Sequence, residues 1–387
     1  MIEKVIFIGY VILNEKLKED FFFYELNKKK VKTEYWNFSK IYFKKSNFSN
    51  QNIEKCINSF NEFGLMLKQL NLKKTTFVLT MSYNFRTIYL YYLLKKYKCK
   101  IVFFSRGVLP SINYNSKHIF QKLKYLKNYK YYFLQILKTN FSLFLKKIGL
   151  VKTYDIILHA GDRSLNGFCV GYKIDLSKAK IFKLNYFDFD KSIKIKYSKK
   201  IIKNKYCVFH DEYLPFHPDF ELQKKDTVEP NVYYINLNKF FTHLEKKFNI
   251  EVVIAAHPKA IDYKRSNPFE RRKLFFGKTA ELSKYSEFSL IHVSSSVSFP
   301  VIYKKPIIFL TSNQIINKMF SYSRWISNFS DELGSKLINY NNYNDSDLDQ
   351  FLLNTTLYEK YISNYLASNN SCSTLSSKVF LESLSIK

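Results

Sequence analysis

Glycine is scarce in this sequence, with 9 among 387 residues, and nowhere are glycines spaced as GxGxxG or GxxxxGKS/T. That excludes a Gly-rich P-loop and a dinucleotide-binding fingerprint. The five cysteines (Cys56, Cys99, Cys169, Cys207 and Cys372) lie far apart, with no CxxC or Cys/His metal spacing. They are expected as free thiols in a reducing compartment, and no metal site is expected. No run of about 20 apolar residues occurs, so no transmembrane helix is expected. Val5–Leu13 is apolar but lacks a preceding basic region and a small-residue cleavage site, and reads as a first strand rather than a signal peptide. Acidic residues are also sparse: between Glu62 and Asp155 there is no Asp or Glu at all.

What is present is aromatic and basic. Aromatics make up 18% of the chain, which is the composition of a folded protein. The net charge is +30, from 62 Lys+Arg against 32 Asp+Glu. Such a surface seeks anions: nucleic acid, lipid headgroups or phosphorylated substrates. Part of the excess is discounted, because abundant Lys, Asn, Ile, Tyr and Phe are what an AT-rich genome encodes. The acid-free region contains Lys117–Lys152, where Lys alternates with Phe, Tyr, Leu and Ile at roughly helical spacing. This is the pattern of a basic amphipathic segment lying on an anionic membrane, with Arg106, Lys122 and Lys130 on the acceptor or membrane side. The plain alternative is a helix packed on its own domain with a solvated basic face. No RNP, KH or helix-turn-helix signature supports a nucleic-acid partner.

Apolar periodicity alternates between strand and helix. Strands are expected at Lys4–Leu13, Thr75–Met81, Lys100–Phe104, Asp155–His159 and Ile181–Leu184, with helices at Asn52–Leu70 and Phe85–Lys96. A second alternation has strands at Tyr206–Phe209, Glu251–Ala256, Leu274–Phe276, Phe288–Val293 and Ile307–Leu310, helices at Tyr234–Phe248 and Lys278–Tyr285, and a closing helical region at Asp345–Ala367. The implied architecture is α/β with two doubly wound domains. An N-terminal domain covers 1–195 and a C-terminal domain covers 196–367. Basic Ser192–Lys205 forms the crossover, and Ser-rich 368–387 is expected as a loosely held tail.

In parallel sheets ligands bind at the carboxyl edges of the strands. Four loops of the second domain are expected there: His210–Asp219, His257–Lys259, Gly277–Glu281 and Ser294–Ser296. Each offers suitable chemistry. His257, set by Pro258 and followed by Lys259, would contact a phosphate or protonate a leaving phosphate oxygen. After Gly277, Lys278 and Thr279 open a helix whose N–H groups would bind anions, and Glu281 would accept from ribose hydroxyls. Ser294, Ser295 and Ser296 would complete the phosphate cradle. Asp211 is the first candidate for general base on an acceptor hydroxyl, with Glu212 as its alternative. The plain readings stand beside these: the serines cap a helix, Asp211 caps a turn, Glu281 is an exposed helix carboxylate, and His217 before Pro218 is a structural turn histidine.

The order HPK, then GKTAEL, then HVSSSVSFPVIYKKPIIFL resembles the nucleotide-sugar domain of GT-B glycosyltransferases. It looks most like the bacterial sialyltransferase, polysialyltransferase and Kdo-transferase group. The resemblance covers about residues 206–312, with the HP motif on His257-Pro258 and the Ser-rich S motif on Ser294–Ser296. It implies two Rossmann-like domains facing a central cleft. It also implies an inverting enzyme that moves a sialic-acid-like or Kdo-like sugar from a CMP-sugar to a capsule or lipopolysaccharide glycan. Such an enzyme would be cytoplasmic and peripherally attached to the inner face of the membrane. No cofactor is expected, on the reading that a DxD-type carboxylate pair to hold a divalent cation against a diphosphate is absent. Partners are then a nucleotide-sugar donor, a glycan or glycolipid acceptor and the anionic inner-membrane surface. One departure stands out. The group carries an acidic base motif in its amino-terminal domain, where this sequence has the acid-free region, so Asp162, Asp188 and Asp190 join Asp211 as candidates. Alternatives remain a UDP- or other NDP-sugar donor, a basic membrane- or RNA-binding adaptor without catalysis, and an epimerase or hydrolase of the same fold.

Overall fold

The computed structural model describes residues 2–43, 52–110, 129–165, 173–222, 225–349, 353–368 and 374–386. Central strand segments such as Val5–Ile8 and Ile307–Leu310 are short and apolar rather than alternating, the pattern of strands buried on both faces in parallel sheets, while edge strands such as Glu54–Cys56 are polar. The chain divides into two compact units. Met1–Val108, Asn115–Tyr186 and Ala367–Lys387 form the first, and Leu109–Tyr114 with Phe187–Leu366 form the second. The change of unit thus falls at Tyr186, ahead of the basic Ser192–Lys205 stretch expected to mark it.

The first unit is built on strands β1 (Lys4–Gly9), β2 (Lys32–Asn37), β3 (Glu54–Cys56), β4 (Thr75–Leu79), β5 (Lys100–Ser105), β6 (Ile156–Ala160) and β7 (Lys180–Leu184). Their order is β3-β2-β1-β4-β5-β6-β7 and every pair is parallel. Successive side chains of a strand point to opposite faces. Val5 and Phe7 therefore enter one core, with Leu26, Val78 and Val102, while Ile6 and Ile8 enter the other, with Trp36, Phe77 and Leu90.

Two expectations change here. The Asn52–Leu70 region is not one helix: Glu54–Cys56 pairs with β2, and the helix runs only from Phe60 to Lys68, capped by Ser59. The apolar spacing of Ile53, Cys56 and Ile57 suits either structure, and a sheet edge claimed it. The stretch 368–387 is no loose tail in its described part. Helix Ser376–Ser383 buries Phe380 in the first unit's core against Phe22 and Phe104, and Ser376 donates to the Asn185 carbonyl.

The second unit carries β8 (Tyr206–His210), β9 (Glu251–Ala256), β10 (Leu274–Phe276), β11 (Ser289–Ile291), β12 (Ile307–Thr311) and β13 (Lys336–Asn339). The order is β10-β9-β8-β11-β12-β13, again all parallel. The order reverses at β8, whose neighbours are β9 and β11. A chain leaving β8 meets the ends of both, which is where α/β sheets open a crevice.

Candidate functional site

Because all six strands of the second sheet are parallel, β8, β9, β10 and β11 deliver their following loops to one edge. The four loops singled out in the sequence are those loops. Register sets them level: His210 lies beside Ala255 and Ile291, and Ala256 beside Phe276.

Asp211 leaves β8 and turns inward. It is 6% exposed. One carboxylate oxygen accepts from the His257 N–H at 3.1 Å, the other from the Tyr213 N–H at 3.0 Å and the Tyr263 hydroxyl at 3.5 Å. Burial pushes its pKa up to about 6. This is the geometry of an anchor that fixes the His257 turn, and the general-base role expected for Asp211 does not fit it. Glu212 is buried as well. It accepts from the Val293 N–H at 2.6 Å and from the Tyr322 hydroxyl, and burial pushes its pKa up to about 8. It ties the β8 loop to the β11 loop and to helix Phe320–Leu333, so it too is unsuited to receive a proton from an acceptor. Asp162, by contrast, is exposed just past β6 at the carboxyl edge of the first sheet, where one oxygen accepts from Ser368 at 2.9 Å.

The histidine turn has a twin. Nδ1 of His257 accepts from the Lys259 N–H at 3.2 Å, and Nδ1 of His217 accepts from the Asp219 N–H at 3.2 Å. Both are His-Pro-x turns, and in both the bond leaves the neutral ring's proton on Nε2. The rings lie 5.3 Å apart, and Tyr213, left-handed at φ 54°, stacks on His257 at 6.5 Å. Lys259 Nζ sits 3.9 Å from Asp219. Burial holds the His217 pKa below its ordinary value. His217, expected as a turn histidine, is thus part of the same polar group as His257. The signal lay in the sequence as the repeated HPx triplet.

Gly277 follows β10 at φ 68°, a backbone state that only glycine adopts freely. It turns the chain into helix Thr279–Tyr285, where Lys278 Nζ donates to Glu281 at 3.0 Å. The other Glu281 oxygen is buried with no hydrogen-bond partner. After β11, Ser294 accepts from the Ser296 N–H at 3.2 Å, Ser295 is exposed, and Ser296 lies 2.9 Å from Ser294 Oγ and 2.8 Å from His210 Nδ1. His210, missing from the expected site residues, is buried behind these serines at the end of β8.

Other expectations fall elsewhere. The Arg106 guanidinium packs on Phe21, Phe22 and Phe104 and donates to the Asp20 carbonyl at 2.6 Å, so it is built into the first unit rather than displayed to an acceptor. Lys122 lies outside the described residues, and for Lys130 only the backbone, in helix Tyr129–Lys147, is described. Contrary to the expected absence of a DxD pair, such spacings do occur: Asp188 and Asp190 lie on helix Phe187–Lys194, where Asp188 accepts from Ser298 and Asp190 is buried, and of Asp345, Asp347 and Asp349 the first and last pair with Lys247. Among the described residues no group of His, Cys, Asp or Glu is placed to hold a metal ion, and no helix is long and apolar enough to cross a membrane.

No protein-family model matches this sequence. No curated protein matches it either. Solved structures are similar in fold. UDP-GlcNAc 2-epimerase from Methanocaldococcus jannaschii is 14% identical with a TM-score of 0.50, covering 99% of this chain and 100% of that one. The wall teichoic acid polymerase TagF is 11% identical with a TM-score of 0.51, covering 99% of this chain and 88% of that one. A putative UDP-N-acetylglucosamine 2-epimerase from Listeria monocytogenes is 12% identical with a TM-score of 0.50, covering 98% and 95%. At such identities the likeness concerns the fold alone. With its two parallel α/β sheets of seven and six strands, the chain has the GT-B fold of two Rossmann-like units.

Proposed function

We propose that this protein is an inverting, metal-independent glycosyltransferase whose second unit binds a nucleotide-sugar donor. The observation that carries the reading is the paired histidine turn. His257 and His217 present imidazoles 5.3 Å apart beside Lys259, at the strand edge where the sheet order reverses. Imidazole N–H groups and an ammonium there would stabilise a leaving phosphate without a metal ion. The serines after β11 and Glu281 border the same edge and supply hydroxyl and carboxylate groups for the rest of the donor.

For the donor we favour a CMP-sugar carrying a sialic-acid-like or Kdo-like sugar, on the His-Pro and Ser-rich motifs. A UDP-sugar is the second reading, favoured by fold neighbours whose names specify UDP-GlcNAc. With Asp211 and Glu212 turned inward, the base role passes in this reading to Asp162 of the first unit. The acceptor would be a surface glycan at an anionic membrane. Helix Tyr129–Lys147 supports that attachment, since it exposes Phe133, Leu137, Phe141 and Phe144 together with Lys147.

Thermal stabilisation by CMP, CDP, UDP, GDP and ADP at fixed salt tests the reading, because a ligand of the folded state alone raises the melting temperature. The expected result is a shift with CMP that is lost in His257→Ala. A shift with UDP instead would move the assignment to the second donor. No shift with any of them would overturn the donor site and leave a membrane-binding role to be read from vesicle flotation.

A further inference from the structure

The basic stretch Ser192–Lys205 is not the crossover that its sequence suggests. The change of unit falls at Tyr186, so the stretch belongs to the second unit and its charge has no linker role. Between Asp190 and Asp211 no Asp or Glu occurs, while lysine recurs throughout. The structure fixes the stretch by its backbone. Lys284 Nζ donates to the Ile195 carbonyl at 3.2 Å and to the Lys196 carbonyl at 2.6 Å, and the Tyr285 hydroxyl donates to the Ser198 carbonyl. Ile202 is buried with Tyr206, Val208 and Leu282. What remains outward is cationic. Lys196, Lys199, Lys200, Lys203 and Lys205 are exposed, and among the described residues none of them has an ion-pair partner. Between them Tyr197 is 89% exposed and Ile201 41% exposed. Because β8 begins at Tyr206, the stretch lies at the amino edge of the second sheet, opposite the edge that carries the histidine turns. Arg271 and Lys305 precede β10 and β12 at the same edge. Of the acids there, Glu251 is bonded to Lys273 at 2.7 Å and Glu287 is exposed.

Exposed lysines without counter-charges attract anions of every kind. The apolar residues between them select among those anions. An aliphatic side chain held in water gains free energy only where an apolar phase adjoins the anionic one. A nucleic acid or a free phosphate offers Ile201 no such phase, whereas the headgroup boundary of an anionic bilayer does, and tyrosine favours that boundary as well. We infer that the amino edge of the second unit is a lipid-contacting surface. Its lysines pair with anionic headgroups through their flexible stems, and Tyr197 and Ile201 enter the headgroup boundary between them. The inference does not rest on the nucleotide-sugar reading. It goes beyond the attachment ascribed to helix Tyr129–Lys147, which belongs to the first unit. The edge with the histidine turns lies at the other end of the same strands and stays open to a soluble ligand in this arrangement.

Partition of the full chain onto vesicles tests it, with phosphatidylglycerol mixed into phosphatidylcholine set against phosphatidylcholine alone. Wild type should sediment with the anionic vesicles and be released as salt is raised. The combined variant Lys196→Gln, Lys199→Gln, Lys200→Gln and Lys203→Gln should bind those vesicles about a hundredfold or more weakly, since each lysine near the surface contributes roughly fivefold. Its melting temperature should match the wild type, because the four side chains are exposed, so the loss reports on the contact and not on the fold. Tyr197→Trp reads the depth of the contact: the emission added over wild type should shift to the blue when anionic vesicles bind. An unchanged partition in the combined variant would leave attachment to helix Tyr129–Lys147 alone and overturn the inference. So would a Tyr197→Trp emission that stays unmoved on vesicles that do bind. Single-stranded RNA that bound wild type more tightly than the anionic vesicles, and lost affinity in the combined variant, would assign the surface to nucleic acid and overturn it as well.

Discussion

Lys146 and Asp175 of the first unit are both fully buried and meet as an ion pair at 2.6 Å, with the ammonium 4.3 Å from the Tyr83 ring and 4.7 Å from the Tyr154 ring. Burial lowers the lysine pKa and the aspartate opposes the shift. In the second unit Asp211, Glu212, His210 and His292 are equally buried, but the described partners of all four are neutral: backbone N–H and C=O groups and hydroxyls. These groups respond to burial by tending to lose their charge, with the carboxylates pushed up and the histidines down to about 3 and 4. The first unit has sealed a charge pair into its frame. The second lines a strand edge with groups bonded to neutral partners, where Glu212, at about 8, holds its proton at neutral pH while Asp211, at about 6, is still mostly ionised, and exposed Lys259 nearby pairs with Asp219. A site meant to bind an anion gains from the protonated Glu212, because an ionised carboxylate there would repel it.

The largest effect is expected at the exposed carboxylate. If Asp162 is the base, Asp162→Asn should lower turnover by about a hundredfold or more with nucleotide affinity unchanged. Steady-state rates beside a binding isotherm check it, and equal loss in both would remove the base assignment. Next comes the sealed pair. Asp175→Asn or Lys146→Met should cost about 3–5 kcal/mol in denaturant unfolding, because each strands a buried charge. The double change to apolar residues should cost much less than either single one. If the singles were mild, the contrast between the units would fail.

Asp211→Asn acts at a distance. Replacing one of the two oxygens that accept from the His257 and Tyr213 N–H groups by an NH2 should loosen the turn and weaken nucleotide binding by about tenfold, with a smaller change in the rate at saturation. A change confined to the rate would restore Asp211 as base. The smallest effect is one of pH. The Glu212 carboxyl has a folded pKa of about 8 against an ordinary 4.5, so between those values the folded state holds a proton that the unfolded state has lost. Its contribution to stability is therefore full below about pH 4.5 and declines as pH rises toward 8. Glu212→Gln should flatten that decline in melting curves across the window, and an unchanged slope would show the carboxyl to be ionised throughout.

Much of the fold was legible because parallel strands buried on two faces must be apolar over their whole length, and runs such as Val5–Ile8 or Ile307–Leu310 carry that signature. Once the strands are parallel, the loops that follow them share an edge, so the grouping of His257, Gly277 and Ser294 with the Asp211 loop followed from chain order alone. The errors came where local pattern was ambiguous. Three residues, Glu54–Cys56, joined a sheet edge despite helix-like spacing, and a Ser-rich end docked because Phe380 found a core pocket.

Residue type and order by themselves determined the two α/β units, the edge that carries the polar loops and the histidines and serines placed on it. Only the tertiary structure decided what those side chains do there. Whether a carboxylate is a base or an anchor depends on which donors surround it, and Asp211 meets three. Whether a serine donates or accepts depends on what lies beside it, and Ser296 sits 2.8 Å from the ring of a histidine 86 positions away in sequence. Both are facts of proximity between distant segments, and burial makes them decisive by removing the water that would otherwise let each group choose freely.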